Sequence, residues 1–63
     1  MNRYVVTVTA VYPDGASSTR NYTAQAPDER MAENLAAALF GREEFEAGKV
    51  APDRVVAEAR TLV

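Results

Sequence analysis

The stretch Tyr4-Val5-Val6-Thr7-Val8-Thr9-Ala10-Val11-Tyr12, halted by Pro13-Asp14-Gly15, decides the fold. Its residues are nearly all β-branched or aromatic, types that fit a pleated, half-buried surface. Pro-Asp-Gly is turn chemistry, because Pro presets φ, Asp bonds to nearby backbone and Gly accepts positive φ. The run is therefore expected to be the long central strand of a small sheet, opening a hairpin. Alternation puts Tyr4, Val6, Val8, Ala10 and Tyr12 on one face, and Val5, Thr7, Thr9 and Val11 on the other.

Working outward, residues 18–25 alternate in the same way and form the second strand. Pairing Tyr12 with Ser18 sets Val8 opposite Tyr22, Val6 opposite Ala24 and Thr7 opposite Thr23. The loop then runs from Pro13 to Ser17, a length that suits a type I turn with Pro at i+1 and Gly at i+3. Every even residue falls on the core face, and a one-residue slip would turn Tyr22 away from it.

Pro27 is suited to a first helical turn, and Asp28 and Glu29 place negative charge at a helix N-terminus. Met31, Ala32, Leu35, Ala36, Leu39 and Phe40 recur at helical spacing and are expected to face the sheet. That assignment makes Leu35→Ala cost ~2–5 kcal/mol. Gly41 is a natural stop. Residues 42–47 then make either a second short helix or one more turn, and Phe45 covers the core. Residues 54–63 alternate again. Val55, Ala57, Ala59, Thr61 and Val63 are expected toward the helix, because Glu58 and Arg60 on the opposite parity would be costly there.

The order is ββαβ, an α+β architecture. The most apolar strand belongs in the middle, so a three-stranded antiparallel sheet in order 2-1-3 is covered on one face by one main helix. The 63 residues make a single small domain, residues 1–63. A chain this short hides only about 60% of its unfolded surface. Much of its apolar content is Ala, so the core is thin, and small cores are commonly supplemented by disulfides, metals or oligomerisation. With neither Cys nor His, disulfides and soft-metal sites are excluded, and no cofactor is expected. Self-association, as a homodimer, remains as the natural supplement, with an unaided small monomer as the alternative.

The net charge of −2, with both signs interspersed, lacks the basic footprint of a nucleic-acid binder. No run approaches the ~20 apolar residues of a membrane span. Met1-Asn2-Arg3 leads directly into the strand, which predicts no secretory leader. A cytoplasmic site fits the lack of Cys. The excess of Arg over Lys, with abundant Ala and Val, suggests a GC-rich bacterial or phage source.

Catalytic readings find little purchase. Ser17 and Ser18 have no histidine to activate them. Lys49 sits in a Gly-flanked loop rather than a desolvated pocket. Glu43, Glu44 and Glu46 lack the loop spacing of a calcium site and read as a solvated face around Phe45. Tyr4, Tyr12 and Tyr22 share the strand face beneath the helix, where bases cannot stack on them, with Arg20 reaching out at the rim. The remaining surface is the uncovered sheet face. There Val5, Thr7, Thr9, Val11, Thr23, Val56, Arg60 and Leu62 form the candidate interaction surface. The expectation is a small non-catalytic, self-associating interaction protein, with a protein partner as a further option. The competing class is a nucleic-acid-associated regulator.

Overall fold

The hairpin turn is tighter than the sequence spacing suggests. In the computed structural model, which describes residues 1–62, the Gly15 N–H donates to the Tyr12 carbonyl at 2.9 Å, and the Tyr12 N–H to the Ala16 carbonyl at 2.8 Å. The Asp14 carboxylate accepts the Ala16 N–H at 2.9 Å. Gly15 adopts φ 87°, so Pro13, Asp14 and Gly15 make a three-residue loop, a type I turn followed by a left-handed residue. This loop moves the register by two. Val6, not Val8, lies opposite Tyr22, Tyr4 opposite Ala24, and Thr7 opposite Asn21 rather than Thr23. A shift of two preserves the faces, so the alternation survives the change.

Strand β1 (Asn2–Val11) lies between β2 (Ser17–Ala26) and β3 (Arg54–Thr61), antiparallel to both, in order β2-β1-β3. Val55, Ala57, Ala59 and Thr61 pair with Ala10, Val8, Val6 and Tyr4, which places the odd residues of β3 toward the helix as expected. Val63, expected to join them, lies outside the described residues.

Helix α1 (Glu29–Glu46) is one continuous element. Asp28 is its N-cap, accepting the Met31 N–H at 2.9 Å, so Pro27 stands before the cap rather than in the first turn. Gly41 does not stop the helix; the stop is Gly48, with φ 77°. There the Gly48 N–H reaches the Phe45 carbonyl and the Lys49 N–H the Glu44 carbonyl, the paired bonds of a Schellman end.

The helix packs with one half of the expected face, Ala32, Ala36 and Phe40, and turns the other half aside. Ala32, Ala36, Phe40 and Glu44 are buried, whereas Met31, Leu35 and Leu39 are 48%, 45% and 44% exposed. The sheet explains the choice. Tyr4, Val6, Val8 and Tyr12 already fill the space between the layers, so the helix approaches on alanines, with Phe40 the one large helix side chain in the core. Phe45, expected to cover the core, is 82% exposed, and Val50 is also outside.

Candidate interaction surface

A polar cluster locks the helix C-terminal half to the hairpin. Tyr12 donates its hydroxyl to the buried Glu44 carboxylate. Arg20 reaches the same carboxylate at 3.0 Å and Glu43 at 2.7 Å, and its guanidinium lies 5.4 Å from the centre of the Phe40 ring. Tyr22 donates to Glu43 at 2.6 Å, and the Lys49 ammonium stands 3.7 Å from Glu44. The Tyr12 hydrogen bond, followed by the charges of Lys49 and Arg20, holds the Glu44 carboxyl below the usual carboxylate range. The Tyr22 bond and Arg20 do the same for Glu43. In return, the bond to Glu44 raises the Tyr12 phenol, and burial together with Glu43 raises Tyr22. Glu44 is thus not part of a solvated acidic face, as the sequence spacing suggested. Its partners occupy it, and the arrangement is a structural clamp.

The uncovered sheet face holds the residues assigned to it. Reading from β2 across β1 to β3, the rows are Thr23-Val5-Arg60, Asn21-Thr7-Glu58 and Thr19-Thr9-Val56. The middle of the face is polar and bonded within itself. The Thr7 hydroxyl donates to the Asn21 side-chain oxygen at 2.8 Å, and Thr9 meets Thr19 at 3.4 Å. Val11, Val56 and Leu62 are the exposed large apolar residues of this face. The polar rows separate Leu62 at one end from Val11 and Val56 at the other.

Sequence reasoning missed a second surface. Glu43 binds Arg20 and Tyr22 of β2, so the helix flank that carries it lies over β2. Leu39, Leu35 and Met31 follow at intervals of four on that same flank. The opposite flank faces β3, where the Glu33 carboxylate accepts the Ala59 N–H at 3.0 Å. Three large apolar side chains therefore form a continuous half-exposed ridge above one edge of the sheet.

No protein-family model, no curated protein and no solved structure matches this chain. No described helix is long and apolar enough to cross a membrane.

Proposed function

We propose that this is a small non-catalytic interaction module that works by surface complementarity and associates with itself. The observation that carries the reading is the outward placement of Met31, Leu35 and Leu39, the three largest apolar helix residues apart from the two phenylalanines. The packing role falls to alanines instead. Contiguous exposed apolar side chains mark contact surfaces, whereas isolated ones do not. The groups with chemical potential are committed elsewhere: Glu44, Arg20, Tyr12 and Lys49 bind one another. The thin core gives association a thermodynamic motive, since a partner that binds only the folded chain stabilises it. The residue bias and lack of Cys favour a bacterial or phage cytoplasm as the setting.

Light scattering at tens of micromolar tests the reading. A mass above the 6.8 kDa of one chain supports it, and a single-chain mass throughout contradicts it. Salt-sensitive retention of duplex DNA or RNA in an anisotropy assay would replace it with the regulator class.

A further inference from the structure

We infer that the free edge of β2 and the Met31-Leu35-Leu39 ridge above it form one two-fold interface with a second copy of this chain. The inference rests on the self-associating reading above and assigns its surface.

The two sheet edges are not equivalent. The Tyr12 to Ala16 bond sets the phase of the β1-β2 ladder, so the even residues of β2 direct their N–H and C=O groups to β1. Thr19, Asn21, Thr23 and Gln25 therefore direct theirs outward. On β3, the Leu62 N–H to Arg3 carbonyl bond turns the odd residues outward in the same way. There Glu33 takes the Ala59 N–H. Among the described residues, no side chain does this for β2.

β2 also lacks the devices that blunt an edge. Its residues on the uncovered face are Ser17, Thr19, Asn21, Thr23 and Gln25, all uncharged, and it contains no proline. Its one charge, Arg20, turns to the helix and is held by Glu43 and Glu44. β3 carries Arg54, Glu58 and Arg60.

A second copy is the occupant that fits. An antiparallel pair of identical strands is self-complementary about a two-fold axis, the commonest symmetry of oligomers. Pairing odd residues with odd residues joins the two sheets without exchanging faces, so both apolar ridges come to the same side. An axis through Arg20 would oppose two like charges; an axis between Asn21 and Thr23 avoids this and brings the ridges closer. The flank is charge-balanced, with Arg20 answered by Glu43 and Arg42 by Glu46, so two copies meet without net repulsion there. A ten-residue strand offers ~33 Å of edge. With the ridge above it, that edge suits the ~800 Å² per partner of a standard interface.

The test compares masses and dissociation constants of the full chain and four variants by sedimentation equilibrium, with circular dichroism as the folding check. Leu35→Glu charges the exposed ridge, and Thr23→Pro removes an outward N–H. Val11→Glu and Leu62→Glu charge the uncovered sheet face. The expected result is a dimer whose dissociation constant rises about 100-fold or more in Leu35→Glu, with helix content kept, while the sheet-face variants stay dimeric. If Thr23→Pro fails to fold, Leu35→Glu still decides. Dissociation by Val11→Glu and Leu62→Glu with Leu35→Glu still dimeric overturns this interface but leaves self-association standing. A monomeric parent chain overturns both.

Discussion

The Glu33 carboxylate bonds to the Ala59 N–H at 3.0 Å, from the helix onto the outer side of β3. This bond fills one of the donors an edge strand otherwise offers to another chain. Glu33→Ala is expected to cost about 1 kcal/mol of stability. It also opens a second edge, so assemblies larger than a dimer should accumulate. Urea denaturation and light scattering read the two effects. An unchanged mass distribution would show that Glu33 does not guard the edge.

Phe40 is 1% exposed and closes the core beneath the helix. Phe40→Ala is expected to cost ~3–5 kcal/mol, enough to unfold a domain of this size. Leu35→Ala, measured where the chain is dilute, should cost about 1 kcal/mol or less, because the side chain is already half in water. The gap should narrow as concentration rises and Leu35 becomes buried between copies. Equal costs in dilute solution would return Leu35 to the core.

The clamp makes stability depend on acid. Glu43 and Glu44 titrate below their usual range in the folded chain, so the folded state holds their charged forms more firmly than the unfolded state does. Their contribution is complete above about pH 4.3 and is lost as the pH falls through the lowered values. Tyr12 and Tyr22 are raised, so their contribution is complete below about pH 10 and is lost above it. Urea midpoints across the pH range should fall at both ends. Glu44→Gln should flatten the acid limb, and an unaltered limb would contradict the clamp.

Gly15 holds the register through its positive φ, with open space around its Cα. Gly15→Ala should therefore cost ~1–2 kcal/mol from backbone strain alone. Chemical shifts should report the Val6-Tyr22 pairing unchanged or a move to the longer loop. No loss of stability would mean that the turn relaxes freely.

The architecture was legible because alternation has a period of two. It survived a register error of two residues, since Tyr22 remained on the helix face whether opposite Val6 or Val8. The helix phase was legible only in part. The stripes 31-35-39 and 32-36-40 are adjacent and read as one apolar face, and only the second is buried. The true stripe ends in Glu44, which reads as exposed until Tyr12, Arg20 and Lys49 are seen around it. The ridge was hidden for the same reason, because Met31, Leu35 and Leu39 have the size and spacing of core residues and are nevertheless half exposed. The uncovered face was legible in full, but the polar pairing of Thr7 with Asn21 that makes its centre self-sufficient depends on the actual register.

Amide hydrogen exchange of Thr19, Asn21, Thr23 and Gln25, followed as concentration rises, tests the β2-edge interface most directly. These N–H groups have no partner in the single chain among the described residues and should exchange quickly when dilute. Those that pair across the two-fold, foremost near Asn21 and Thr23, should become protected in step with the rise in mass. Rapid exchange of all four at concentrations where the mass is that of a dimer would contradict the interface.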